Sequence, residues 1–275
     1  MRMKKITSTL KIVNFLALTS FAVVFLFPMV WMVLTAFRTQ VDLTVNATSY
    51  VPDPWSLEGF KIAIEGAPLA RWAMNSVAMT TIITISVLFT STLIGYVFAK
   101  FEFRLKRLLF IIILLTMMVP GQILMIPRFI MVQKVGLYNT LAAVIIPNLI
   151  SVYNIYLCKV NIENLPESMF DAARVDGASS MQIYRHVVLP NILPTIGTVG
   201  IFTALGAWNN YMDPLIYLND TDKMTLPLAL NWFSGQHHVT KSATMAVAMI
   251  IMVPIFILFL GFQKFFIKGV SITKR

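Results

Sequence analysis

Charge is scarce in this chain: Asp, Glu, Lys and Arg make up 12% of its 275 residues, and only 12 are acidic against 22 basic. Apolar residues reach 57% and the mean hydropathy is far above that of a soluble protein, so the solvent for most of the chain is lipid. A single cysteine, Cys158, excludes an intramolecular disulfide and reads as a small apolar residue rather than a reactive thiol. There is no GxxxxGK(S/T) loop to cradle nucleotide phosphates, and no HExxH, CxxC or paired-carboxylate arrangement on a plausible scaffold. His237 and His238 are adjacent, so on a helix or a strand they point in different directions, which argues against a metal site.

What the chain has in abundance is uncharged apolar sequence. Six runs lack ionisable residues, at about 12–37, 72–99, 108–127, 135–158, 187–212 and 242–263, and each has roughly the 20 residues a helix needs to cross the hydrocarbon core. They predict an all-α membrane protein of six transmembrane helices forming one transmembrane domain over residues 1–275. The N-terminal run has basic residues ahead of it like a signal peptide, but its length and the lack of a small-residue cleavage site mark it as a membrane helix.

Sorting the basic residues by the loops between these runs puts fifteen on one side and seven on the other. By the positive-inside rule both termini are expected in the cytoplasm. In a soluble domain a net charge of +10 would suggest nucleic acid as a partner. Here the charges hug the ends of the spans, so orientation and anionic lipid of the bilayer account for them and no nucleic acid is expected. Pro28, Pro120, Pro147, Pro194 and Pro254 fall in or near spans, where lost backbone hydrogen bonds are tolerated beside a neighbouring helix or a wet cavity. None of the six runs holds an ionisable residue in its interior, and proton-driven or voltage-sensing proteins generally need such groups at membrane depth. The energy source is therefore sought elsewhere.

The most polar feature lies between the fourth and fifth runs, in a loop at 163–190. Pro166 and Glu167 suit a first helical turn, with Asn164 or Leu165 as N-cap. Met169, Phe170 and Ala173 share one side of this helix, and Gly177 suits its left-handed end. Ser179 followed by Gln182 has capping-box spacing, and the second helix runs through Ile183, Tyr184 and Val187 to Pro190. A cytoplasmic helix-turn-helix of this kind fits a soluble partner. It equally fits an ordinary amphipathic loop resting on the membrane surface.

The segment DAARVDGA, followed by SSMQIYRHVV and LP, resembles the EAA loop of ATP-binding-cassette importer permeases, whose pattern is EAA, two residues, DGA, then a helix ending in LP. Asp171 stands where the family usually has Glu. NSVAMT, MVPGQILMIPRFIMVQKVGLYNTLAAVIIP, NLPESMFDAARVDGAS, WNNYMDPL and MVPIFILFLGFQKFFIKGV resemble the carbohydrate-uptake branch, specifically its maltose-type smaller permease. The resemblance covers nearly the whole chain.

It implies an importer subunit of the prokaryotic cytoplasmic (inner) membrane that pairs with a second permease, docks on two ATPase subunits, and receives sugar from an extracytoplasmic solute-binding protein. ATP and Mg would be held by the partner ATPase and no cofactor by this chain, which would be a transporter subunit and not an enzyme. Asp171, Ala172, Ala173, Asp176, Gly177 and Ala178 would form the ATPase-coupling contact, the acidic residue meeting a basic group. The stretch Asp213 to Lys241 corresponds to the family's loop that reaches into the binding protein. There Tyr217, Trp232 and Phe233 supply aromatic surface for stacking on a sugar or for packing the loop. The cargo stays open between oligosaccharide and glycerol phosphate or another polar solute, and an ATPase-independent channel or carrier is the reading of a different class. Asn148, Ser151 and Asn154 are candidates to line the path, although buried polar residues also join membrane helices.

Overall fold

The computed structural model of the chain describes residues 2–235 and 240–271, leaving out the side chains of 2–11, 258, 259 and 262–271. His237 and His238 lie outside the described residues. The regular elements described are all helical: α1 (Arg2–Ala36), α2 (Gln40–Val45), α3 (Glu58–Gly66), α4 (Leu69–Lys100), α5 (Lys106–Leu115), α6 (Met125–Lys134), α7 (Leu141–Ile145), α8 (Val152–Glu163), α9 (Glu167–Val175), α10 (Ser180–Ile183), α11 (Leu189–Asn191), α12 (Leu193–Trp208), α13 (Met212–Tyr217), α14 (Ala229–Ser234) and α15 (Lys241–Ser271), with short 3-10 turns and one π turn between them.

The expectation of six transmembrane helices is not met. Among the described residues three helical stretches are long and apolar enough to cross a bilayer: Ile12–Ala36 with 25 residues, Leu69–Lys100 with 32 and Leu141–Glu163 with 23. A fourth is counted only if the pair Ser180–Asn191 and Leu193–Trp208, bent by 79°, is taken as one span. The third uncharged run, 108–127, breaks because α5 stops at Leu115 and a 3-10 turn leads into the Pro120–Gly121–Gln122 turns before α6 begins at Met125. Proline supplies no N–H there, and the chain turns instead of continuing the ladder. The sixth run is represented by the shorter apolar stretch Lys241–Ile257. The placement of both termini in the cytoplasm rested on six crossings and falls with that count.

The chain divides into two compact units, Met1–Leu69 with Ala229–Val253, and Ala70–Leu228 with Pro254–Arg275. In the first unit the most apolar window of Ile12–Ala36 has none of its residues buried within the chain. Beyond α1 the backbone wraps around Arg38, a guanidinium only 3% exposed. It pairs with Asp42 and donates to the carbonyls of Asp42 at 3.0 Å, Asn46 at 2.8 Å and Ser49 at 2.6 Å. A buried cation is tolerable because it is paired and four of its five N–H donors are used. The hydrogen bond from Arg38, joined by one from Asn46, holds the Asp42 carboxyl down from the ordinary 3.8 to about 2. Leu57, Phe60 and Ile64 have the spacing of an interfacial helix, and α3 forms there, but Gly59 and Ala63 are its buried residues while Leu57 and Ile64 stay exposed.

The second unit holds the larger core. Met79, Ile83, Val87 and Tyr96 of α4, Ile162 and Cys158 of α8, Phe170 of α9, Ile183, Tyr184 and Val188, and Val199 of α12 form one buried cluster. α4 and α8 approach closely at Gly95, where an added Cβ would lie 2.9 Å from Cys158 Cβ and 3.0 Å from the Lys159 backbone nitrogen. Only glycine admits that separation.

Candidate functional site

The loop at 163–190 folds as the hairpin its spacing foretells, with two adjustments. Pro166 is itself the N-cap of α9, with φ −56° and ψ 131°, so Glu167 opens the helix one residue later than expected. At the other end Pro190 does not stop the second helix. A π turn over Tyr184–Val188 carries it through Pro190, and the break falls at Ile192.

The turn between α9 and α10 is strongly specified. Gly177 has φ +77°, its N–H donates to the Arg174 carbonyl at 3.0 Å, and the Ala178 N–H donates to the Ala173 carbonyl at 3.0 Å. This is the paired C-terminal capping pattern that satisfies the last carbonyls of a helix. Ala173 and Ala178 both pack partly against the core. Ser179 then caps α10 reciprocally: its N–H donates to Gln182 Oε1 at 2.7 Å and its hydroxyl accepts from the Gln182 N–H at 3.4 Å.

This geometry sorts the six candidate residues. Asp171, Ala172, Asp176 and Gly177 are exposed, and Ala173 and Ala178 face partly inward. Val175 is 88% exposed and Met181 47%, so the tip offers apolar surface beside its acids. Asp171 is engaged by Arg174 of its own helix at 2.8 Å, whereas Asp176 has no ion pair among the described residues.

The hairpin is fastened to the end of α4 by Thr92, Tyr96 and Lys100 of that helix, which no local motif marks. Lys100 Nζ pairs with Glu167 Oε2 at 2.7 Å and lies 4.0 Å from the centre of the buried Phe170 ring. Glu167 also meets Arg174 at 3.3 Å. The hydrogen bond from Lys100, more than any other influence, holds the Glu167 carboxyl below its ordinary range. Deeper in, Tyr96 stacks on Tyr184 with ring centres 5.7 Å apart, and Thr92 Oγ1 lies 2.8 Å from the Tyr184 hydroxyl. Thr92, Tyr96 and Lys100 are spaced by four along α4, the spacing that puts residues on one helix face, and that was the signal available.

The stretch after α12 is strapped to the start of α4. Trp72 Nε1 donates to the Thr221 carbonyl at 2.7 Å, Asn75 Nδ2 to the Met224 carbonyl at 2.9 Å, and the Leu226 N–H to Ser76 Oγ at 2.8 Å. A backbone N–H donating to the Asp220 side chain does most to keep that carboxyl below its ordinary range. Tyr217 and Phe233 are buried at 0% and 3% exposure, which makes them packing residues rather than a sugar-stacking surface. Of the path candidates, Asn148, Ser151 and Asn154 come together at a break in Leu141–Glu163 and line one cavity. Among the described residues no cluster of three or more His, Cys, Asp or Glu side chains could hold a metal ion.

Comparison with known proteins agrees with this architecture. Residues 91–272 match the family model described as the inner membrane component of binding-protein-dependent transport systems. The chain is 31% identical over 254 residues to the arabinooligosaccharides transport system permease protein AraQ of Halalkalibacterium halodurans, covering 91% of each chain. It is 29% identical to the lactose transport system permease protein LacG of Rhizobium radiobacter, covering 94% of each. A crystal structure of a bacterial ABC transporter that imports the acidic polysaccharide alginate contains a chain of the same fold, with a TM-score of 0.82 at 22% identity, covering 93% of this chain and 95% of that one. An all-helical, multi-pass chain that carries this family's sequence over most of its length belongs to the inner membrane components of binding-protein-dependent transport systems, the non-catalytic permease subunits of ABC importers.

Proposed function

We propose that this chain is the maltose-type smaller permease subunit of an ATP-driven sugar importer, with oligosaccharide as its cargo, and that the hairpin tip is its EAA coupling surface. The named systems to which it is similar include transporters of arabinooligosaccharides and lactose, which supports the sugar reading. The observation that carries the coupling role is the tip itself, an exposed Val175–Asp176–Gly177 turn fixed by two capping hydrogen bonds and braced from behind through Glu167 and Lys100. A surface loop merely resting on lipid has no need of such bracing.

In this reading Asp171, Ala172, Ala173, Asp176, Gly177 and Ala178 seat the hairpin on one ATPase subunit. Asp176 is the acid freest to meet a cation there, since Asp171 is already held by Arg174. A second permease covers the unburied face of α1, a solute-binding protein delivers the sugar, and ATP binding to the ATPase pair moves the docked hairpin. A bistable permease responds only if nucleotide favours one of its states, and a full switch needs about 5 kcal/mol of preference.

Replacing Gly177 with Leu tests this. The left-handed conformation at φ +77° disfavours a side chain by about 1–2 kcal/mol, and a bulky one also protrudes into the proposed cleft. Uptake into cells or vesicles should fall while the assembled complex still hydrolyses ATP. Normal uptake by this variant would remove the hairpin from the mechanism.

A further inference from the structure

Basic residues at the end of an apolar helix mark the level where hydrocarbon gives way to headgroups. α5 is built this way, with Lys106 and Arg107 opening a helix whose remaining residues are all apolar. None of its 10 residues is buried, and Leu108, Leu109, Ile111, Ile112 and Leu115 stand between 43% and 52% exposed. At its rise per residue α5 spans about 15 Å, half of a hydrocarbon core roughly 30 Å thick and so the depth of one leaflet. At the charged end a pocket of about 730 Å³ opens between α5, the end of α4 and α8. That is an ordinary size for a ligand site, which runs from roughly 300 to 1,000 Å³.

The lining is aromatic and cationic at once. Phe98 packs against Phe103 and Phe110, with ring centres 5.6 Å and 5.2 Å away. Lys106, Arg107 and Lys159 join them, and Glu102 is the one acid in the lining. Lys106 meets Glu102 at 2.8 Å, and Lys159 meets Glu163 at 2.6 Å while lying 4.7 Å from the Phe110 ring centre. Both stems are sunk along apolar surface, their side chains only 21% and 16% exposed. Arg107 is exposed and has no ion pair among the described residues. The first turn of α5 holds these two cations and no acid, whereas the helix dipole favours negative charge there. The chain thus leaves positive charge unmatched beside a bare apolar helix. A soluble anion would answer the charge and leave α5 uncovered. A zwitterionic lipid would cover α5 but bring a cation of its own, and a lipid of net negative charge does both without that penalty.

We infer that this pocket is a binding site for an anionic phospholipid, whose phosphate pairs with Arg107 beside Lys106 and Lys159 and whose acyl chain lies along α5. The site sits on the hairpin's side of the membrane. Phe98 is two residues from Lys100, which clasps Glu167, and Lys159 lies one turn before Glu163, where α8 gives way to the hairpin. A lipid held there ties α5 to the base of the hairpin. The inference goes beyond the sugar and coupling readings and depends on neither.

The test uses the complete importer, purified in mild detergent with its second permease and its ATPase subunits. It is titrated with dioleoylphosphatidylglycerol or dioleoylphosphatidylcholine, and native mass spectrometry reads the lipid retained. Phosphatidylglycerol should be held at least about fivefold more tightly than phosphatidylcholine, and Arg107→Gln should weaken it about fivefold, the worth of one cation at an anionic surface. Arg104→Gln removes the same charge just outside the lining and should leave retention unchanged. Ile111→Trp obstructs the pocket without altering charge and should lower retention; it also serves if Arg107→Gln fails to assemble. Excess inorganic phosphate should not displace the lipid. Equal retention of the two lipids overturns the site, and is the result expected if another subunit fills the pocket. Equal losses in Arg104→Gln and Arg107→Gln overturn it in favour of diffuse attraction to the surface. Unchanged retention in Ile111→Trp overturns the pocket, and displacement by phosphate overturns the lipid in favour of a soluble anion.

Discussion

Replacing Gly95 with Ala would test whether the contact between α4 and α8 is the rigid joint of the second unit. The added methyl would meet Cys158 Cβ at 2.9 Å and the Lys159 backbone nitrogen at 3.0 Å. Non-bonded carbons are comfortable at about 3.5–4.0 Å, so the two helices would have to part by more than half an ångström, or a neighbour would have to yield. Cys158 has 0% exposure and the second obstacle is main chain, so neither moves freely. Overpacking of this kind costs about 1–3 kcal/mol. For a chain of this size the loss corresponds to a fall of roughly 2–4 °C in Tm per kcal/mol. The assay is thermal unfolding of the purified complex in detergent, with Gly95→Ala compared against Gly206→Ala, a position with no atom within 4 Å of its added Cβ. Combining Gly95→Ala with Cys158→Gly removes the first clash but not the second, so it should recover part of the loss. Equal melting of the Gly95→Ala and parent proteins would refute the close approach and the role given to it.

The buried link between α4 and the hairpin should respond asymmetrically to deletion. Thr92→Val leaves the Tyr184 hydroxyl without its partner and should destabilise by about 1–3 kcal/mol, whereas Tyr184→Phe leaves Thr92 still donating to the Leu88 carbonyl at 2.7 Å and should cost less; thermal unfolding of both variants decides the order. The segment after α1 should loosen in acid. Asp42 titrates lower when folded than when unfolded, so its contribution is complete above pH 3.8 and fades as pH falls through about 2, which limited proteolysis near Ser49 across that range would report. Arg38→Lys should expose the same segment at neutral pH, since one ammonium cannot reach the carbonyls of Asp42, Asn46 and Ser49 together.

The sequence announced the hairpin because its signals are local. Gly177 at a helix end and the Ser179–Gln182 spacing each dictate a conformation within four residues, and both hold in the structure. The span count failed because absence of charge says where lipid is tolerable, not where a helix is continuous. Pro120–Gly121–Gln122 and Ile192 are both uncharged, yet the first turns the backbone between α5 and α6 and the second begins a bend of 79°. Leu57 and Ile64 show the same limit on a smaller scale: the helix was legible, but Gly59 and Ala63 form its buried face because small residues allow close approach where a hydrophobic pattern suggests the opposite side. The α4 clasp needed tertiary knowledge. Lys100 and Glu167 lie 67 residues apart, and nothing near either names the other.

These breaks also bear on how motion at the proposed coupling surface would reach the cargo. Behind the tip the hairpin has two exits. One is the clasp on α4, where Tyr96 stacks on Tyr184 and Lys100 holds Glu167, and it resists separation of the hairpin from that helix. The other runs through the π turn Tyr184–Val188 and the bend at Ile192 into α12, whose Phe202 and Thr203 line the cavity. A π turn leaves the helix with a looser ladder, and such turns concentrate at functional places. A pull on the tip would therefore be carried rigidly into α4 and with a hinge into α12. Both helices wall the same cavity, so unequal movement of the two changes its shape.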